Sequence, residues 1–224
     1  MTFSKAPRRE RGAPFAPGRD CALCPRLCAW RTELRAEEPG WHNAPVPSFG
    51  SLDARLLIAG LAPGVNGANR TGRPFTGDYA GDLLYATLLK LGGARGTYGA
   101  RTDDGLALVD VRITNAVRCV PPENKPDTTE IRACNPFLRD EIAAMPQLAA
   151  VLSLGKIAHD AVLRARGLRL SAHGFAHGAR HQLAPGLVLI NSYHCSRYNT
   201  NTGVLTVAMF EKAMATALDA ISRT

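Results

Sequence analysis

The stretch Arg55-Leu-Leu-Ile-Ala59, followed at once by Gly60-Leu-Ala-Pro-Gly64-Val-Asn-Gly67, decides the fold. A nearly unbroken apolar run of this length is the mark of a strand buried on both faces of a parallel sheet. Three further runs, Ile113–Val117, Ala150–Leu154 and Leu187–Asn191, share that character. Helical candidates lie over Gly81–Leu91, Thr128–Met145, Lys156–Arg166 and Val204–Ser222. Asp127 and Glu130 stand at capping-box spacing at the start of the second. The alternation predicts an α/β three-layer sandwich, a four-stranded parallel sheet flanked by helices. Such folds hold ligands beyond the carboxyl ends of their strands, and the polar motifs of this chain cluster there.

With 224 residues, at roughly 150 per domain, the chain is one large domain with at most a small appendage. Hydrophobic residues at 46% and charged residues at 21% exclude global disorder. No apolar run approaches the ~20 residues of a membrane span. The first twenty residues are basic and rich in Pro and Gly, without the apolar core of a signal peptide, so a cytoplasmic protein is expected. Pro7, Pro14 and Pro17 mark residues 1–19 as a flexible basic arm. Residues 20–224 form a single domain, including a cysteine-bearing segment that ends in the linker Ala44-Pro-Val-Pro-Ser48. The formal charge of +8 suits a polyanionic partner. Residues 151–200 hold Lys156, Arg164, Arg166, Arg169, Arg180 and Arg197 against Asp160 alone.

Six cysteines in a reducing compartment favour metal or redox roles over disulfides. Cys21 and Cys24 are spaced C-x2-C, and Cys119 and Cys134 lie at a strand exit and within a helix. Four thiolates suit zinc or an iron–sulfur cluster, and buried inert cysteines are the third reading. The second pair lacks the tight knuckle of a zinc ribbon, which favours the cluster. Cys28 is a spare thiol or a small buried hydrophobe.

Three loops follow the strands. The Gly60–Gly67 turn is neither a Walker loop nor a dinucleotide fingerprint, but its glycines let backbone N–H groups approach an anion such as a phosphate. Asn115 closes the second strand, offering a donor and an acceptor in one plane, suited to a base edge. The last strand runs into His194-Cys-Ser196-Arg197-Tyr-Asn199, a dense polar turn. His173, His177 and His181, spaced four apart, would share a helical face, but Gly174 and Gly178 argue against a helix, leaving loop histidines near a basic groove.

Taken together, Cys21-Ala-Leu-Cys24-Pro-Arg, Gly60-Leu-Ala-Pro-Gly64, Asn69-Arg-Thr-Gly-Arg-Pro-Phe-Thr-Gly-Asp78, Asn115-Ala-Val-Arg-Cys119-Val-Pro-Pro122, Cys134-Asn-Pro-Phe and His194-Cys-Ser resemble the uracil-DNA glycosylase superfamily, above all its iron–sulfur family 5. The resemblance covers roughly residues 20–222. It implies a 4Fe-4S cluster on Cys21, Cys24, Cys119 and Cys134, and base excision repair of uracil-containing DNA by a monomer acting on a flipped-out base. It implies a base pocket from Gly60, Ala62, Pro63, Gly64, Phe75, Asn115 and His194, with Phe75 stacking and Asn115 reading the base. Ser196, Arg197 and Asn199 would contact DNA. Catalysis would fall to His194, Asn115 and Asp78, the last orienting water or serving only as a helix cap. Leu61 and Ala62 stand where related families place a water-positioning carboxylate or amide. With no such gatekeeper, hypoxanthine and other deaminated bases are expected substrates. Cys195 replaces the proline usual after the histidine. Rival readings are a non-turnover damage-binding protein, a trap in which His194 attacks the sugar, and a thiol hydrolase using Cys195.

Overall fold

The computed structural model describes residues 15–222. The chain opens with helix α1 (Pro25–Glu37) and reaches strand β1 (Leu56–Gly60), then helix α2 (Tyr79–Lys90). A two-residue ladder, β2 (Ala94–Arg95) with β3 (Ala107–Leu108), precedes β4 (Val111–Asn115) and α3 (Thr128–Ala143). Then come β5 (Ala150–Leu154), α4 (Lys156–Ala165), β6 (Arg180–Ala184), β7 (Leu187–Ser192), α5 (Arg197–Asn201) and α6 (Val207–Ser222).

The main sheet has the order β4-β1-β5-β7-β6. The first four strands are parallel, as expected, and every residue of β1, β4, β5 and β7 is buried. Alternate side chains serve opposite layers. Leu56, Ile58, Leu152 and Ile190 pack with Leu84 and Leu88 of α2 and Phe210 and Met214 of α6. Leu57, Ala59, Val151 and Leu189 pack with Leu27 of α1, Leu138 of α3 and Val162 of α4. Each fully buried aliphatic of this set stabilises the fold by about 1.5–3 kcal/mol. From β1 the chain crosses to β4 on one side and to β5 on the other. The crevice at that reversal lies where an open α/β sheet binds ligands.

Three features differ from the sequence expectation. The sheet has a fifth strand, β6, antiparallel at the edge and joined to β7 through Gly186 at φ 75°. Its residues, Arg-His-Gln-Leu-Ala, are all at least partly exposed, so it carries no apolar run. Helix α1 has a buried face of Leu27, Arg31 and Leu34, a helical stripe hidden by the arginine at its centre. Strand β4 begins two residues earlier than its apolar run, because Arg112 is buried by pairing with Glu141 at 2.6 Å. Of the arm read over residues 1–19, residues 1–14 lie outside the described part. Residues 15–19 are packed on the fold: the Arg112 guanidinium lies 5.8 Å from the Phe15 ring, and Pro17 faces the cysteines.

Candidate active site

A cavity of about 630 Å³ opens at the carboxyl ends of β1, β4 and β7, within the ~300–1,000 Å³ typical of ligand pockets. Ala62, Pro63, Gly64, Phe75, Asp78, Asn115, His194, Ser196 and Arg197 all line it. Gly60 lies beneath, as the register partner of Asn115. A side chain on Gly60 would begin 2.5 Å from Cζ of Phe75 and closer still to Oδ1 of Asn115. Glycine is therefore required for this close approach. Asn115 is buried, and its Oδ1 has no hydrogen-bond partner among the described residues. A buried unsatisfied acceptor costs about 1–3 kcal/mol, so this atom calls for a ligand that brings a donor.

Phe75 reaches the cavity from a left-handed backbone, φ 52°, which for a bulky residue stores about 1–3 kcal/mol of strain. Its neighbours impose that conformation. Arg73 donates to both carboxylate oxygens of Asp104 at 2.9 and 2.6 Å and to Thr76 Oγ1 at 2.8 Å. Its guanidinium lies 5.2 to 5.8 Å from the rings of Phe49, Tyr85 and Tyr98. Tyr85 donates to the Pro74 carbonyl at 2.6 Å. The Arg73 hydrogen bonds hold the Asp104 carboxyl well below the ordinary carboxylate range.

The His194 ring stands 6.2 Å from that of Phe75, tilted by 30°. Burial pushes its imidazolium down to about 4, so the ring is neutral at pH 7. Its ring nitrogens have no hydrogen-bond partner among the described residues. Its carbonyl accepts from Asn199 Nδ2 at 2.8 Å. Asn199, expected to contact DNA, thus lies outside the cavity wall and braces the histidine loop. Cys195 is fully buried, donates to the Ala80 carbonyl at 3.5 Å, and has its thiol pushed up to about 12 by burial. Buried away from the cavity, which it does not line, this thiol lacks the partly exposed, activating surroundings of a nucleophilic cysteine.

Asp78 is the helix cap weighed for it, and it also lines the cavity. Its Oδ1 caps α2 by accepting from Gly81 N at 3.0 Å. Its other oxygen turns to the glycine loop: a side chain on Gly64 would begin 3.2 Å from Oδ2, and one on Gly67 2.9 Å from Cγ. The glycines of this turn make room for the Asp78 carboxylate, and the turn lines the cavity. Arg197 lies over Tyr79 at 5.3 Å. Next to it Tyr198 is 74% exposed, a solvent-facing aromatic beside a polar cavity. Tyr198 was missed in the sequence, as were Tyr79, Asn66 and Asn124, because single polar or aromatic loop residues carry no pattern. His173, His177 and His181 form no helix and tie their loop to its surroundings. His177 Nδ1 accepts from Tyr193 N at 3.1 Å, and His173 and His181 stack edge-on at 5.5 Å.

Behind the sheet, Cys21, Cys24, Cys119 and Cys134, with Cys28, line one pocket that contains no carboxylate or imidazole. Cys24 is the N-cap of α1 and Cys134 lies within α3. Arg26 bolts the two helix starts together through Glu130 at 2.7 and 2.9 Å. Glu130 also accepts from Asp127 N at 2.7 Å, the reciprocal bond of the expected capping box. Burial raises the Cys24 thiol to about 11 and the Cys119 thiol to about 12. Backbone N–H of Arg118 donates to Cys134 Sγ at 3.4 Å. Among the described residues no three His, Cys, Asp or Glu side chains close on one point as the ligands of a single ion do. No helix among them is long and apolar enough to cross a membrane.

The pocket thus sits at the reversal of a mostly parallel sheet and presents a partnerless amide oxygen beside a neutral histidine. The chain belongs to the uracil DNA glycosylase superfamily, whose family model matches residues 47–218. It is 47% identical over 203 residues to the type-5 uracil-DNA glycosylase of Thermus thermophilus, covering 88% of this chain and 92% of the relative. The type-5 enzyme of Mycobacterium leprae is 42% identical, with 85% and 87% covered. That of Pyrobaculum aerophilum is 40% identical, with 88% of each chain covered.

Proposed function

We propose that the chain is a DNA-repair hydrolase that cleaves the N-glycosidic bond of uracil in DNA and leaves an abasic site. The observation that carries this reading is the buried, partnerless Oδ1 of Asn115 beside Phe75. The Watson–Crick edge of uracil presents an N–H beside a carbonyl, and a planar amide offers the matching acceptor and donor. Cytosine presents the reverse pattern, which the amide could meet only by turning over.

The reactive bond is inaccessible in a duplex, so the target nucleotide flips into the cavity. Phe75 stacks on the base and Asn115 holds its edge. Ser196 and Arg197 grip the backbone, in a basic protein whose affinity falls with salt. As the bond breaks, negative charge collects on the base. The neutral His194 ring donates to a base carbonyl oxygen, where a positioned donor contributes about 2.7–4 kcal/mol. Leu61 and Ala62 supply no base, so water adds to a sugar that is already cationic. Asp78 Oδ2 orients that water and stabilises the cation. With Leu61 and Ala62 apolar and no acidic gatekeeper beside the base, hypoxanthine and related deaminated bases also enter. The protein works as a monomer.

Cys21, Cys24, Cys119 and Cys134 hold a 4Fe-4S cluster. Cysteines are the only metal-ligating side chains in the pocket lining, which fits the soft donors such a centre takes. When bound, the cluster cross-links α1, α3 and the exit of β4.

The test is a labelled duplex with one uracil beside an undamaged control, followed by alkali. A break at the uracil that weakens in His194→Ala supports the reading. Silence, or a uracil-dependent adduct that survives denaturation, overturns it in favour of binding or trapping.

A further inference from the structure

Arg31 occupies the centre of the buried stripe of α1, between Leu27 and Leu34, at a position where helical packing calls for an aliphatic residue. It is 5% exposed. Its Nη2 donates to the Cys21 carbonyl at 2.9 Å and approaches Cys28 Sγ at 3.6 Å. Its Nη1 approaches Cys119 Sγ, also at 3.6 Å, and its Nε has no partner. The neighbouring carboxylates are committed elsewhere. Glu130 is bonded to Arg26, Asp20 to Arg35, and Glu141 to both Arg112 and Arg118. Among the described residues Arg31 therefore has no carboxylate partner. An arginine stays charged in a protein, and a buried cation without an anion costs several kcal/mol. Among the described residues the Asp20 carboxylate feels its charge while bonded to Arg35, and the groups in direct contact with the guanidinium that can carry negative charge are the thiols of Cys28 and Cys119.

We propose that Arg31 is the internal counter-charge of the thiolate-held group, and that it sets the reduction potential and retention of that group. This rests on the cluster reading above. A thiolate-ligated cluster is anionic, and reduction adds a further electron. A guanidinium hydrogen-bonded to one ligand sulfur stabilises the reduced form more than the oxidised one. Removing the charge makes the potential more negative. The fork of the guanidinium also orients Cys119 and the backbone at Cys21, the kind of outer-sphere contact whose loss weakens metal binding about 10–100-fold.

The experiment uses the holoprotein as purified and begins with iron and sulfide analysis of the wild type. Zinc, or no metal, in the wild type would bring down the cluster reading and this proposal together. With the cluster present, Arg31→Gln and Arg31→Lys are compared by redox titration followed by electron paramagnetic resonance. Loss of visible absorbance under a chelator is timed in parallel. The proposal expects Arg31→Gln to shift the potential negative and to lose its cluster about tenfold faster. It expects Arg31→Lys, which keeps the charge, to retain most of the wild-type potential. Wild-type potential and retention in Arg31→Gln at full iron content would overturn the proposal and leave the cluster standing. Equal impairment of both variants would also overturn it, because shape rather than charge would then decide.

Discussion

Gly60 and Asn115 are register partners at the carboxyl ends of adjacent parallel strands, and the Asn115 amide fills the space where a Gly60 side chain would begin. Gly60→Ala should displace the amide and the Phe75 ring together. A misplacement of this size costs about 100-fold in rate, measured as single-turnover excision of uracil. An unchanged rate in a folded Gly60→Ala protein would mean that the amide does not read the base.

His194 gives a prediction about pH. Its imidazolium is pushed down to about 4, so excision should show no titration of His194 between pH 5 and 8. His194→Ala should lower the rate by about a hundred- to a thousandfold across that range. A step near pH 6.5 that disappears in the variant would contradict the neutral-donor role. The same depression bears on stability. The unfolded chain takes up a proton near 6.5 that the folded site refuses, so the fold weakens as pH falls from 6.5 toward 4. His194→Gln should soften that acid loss in denaturant titrations.

Asp78 can be divided into its two functions. Asn also caps helices, so Asp78→Asn should keep the melting temperature while excision falls about tenfold, the loss expected of a water-orienting group. Asp78→Ala should lose both, with about 1 kcal/mol of stability lost with the cap. Equal rates for Asp78→Asn and wild type would leave only the cap.

The Arg73–Asp104 pair should act on Phe75 at a distance. Asp104→Asn breaks a buried pair, at a cost of about 3–5 kcal/mol, and removes the clamp on the strained backbone. Binding of free uracil, followed by calorimetry, should weaken along with stability. A destabilised variant with normal uracil affinity would show that the clamp serves the fold alone.

Tyr198 should matter for duplex substrates. Its exposed ring is one residue along the chain from Arg197 of the cavity lining, and an aromatic stacked on a base contributes about 1–3 kcal/mol. Tyr198→Ala should slow excision from duplex DNA more than from a single strand, where no neighbour must be unstacked. An equal effect on both would assign Tyr198 to packing.

The four parallel strands were legible because their residues are buried on both faces, which leaves a continuous apolar run in the sequence. Where the core is held by charge, that signal fails. Arg112 disguised the start of β4 because Glu141 pairs with it in the core, and Arg31 disguised α1 because it is buried against the Cys21 carbonyl and the thiols, contacts a sequence cannot display. Strand β6 escaped notice for the opposite reason, being half in water. The cavity wall was largely readable as short motifs after the strands. The bracing role of Asn199 was not legible, because a polar side chain in a polar turn can face outward or hold its own loop. The Asp104 clamp joins residues distant in the chain, and no local pattern announces such a contact.

The run Asn115-Ala-Val-Arg118-Cys119 carries the amide of the cavity, a partner of the buried Glu141 and a thiol of the cysteine pocket. It is pinned along the way by Ala116 N to Gly60 O and Val117 N to Leu61 O, each at 2.9 Å. The segment therefore acts as a ruler of fixed length. One residue inserted or deleted here would throw either the amide or the thiol out of place, since their spacing is set by a ladder with no slack. Change in what the cavity accepts has to come from the loops at Gly60–Gly67 and at His194–Asn199, which can alter their length without disturbing the thiols.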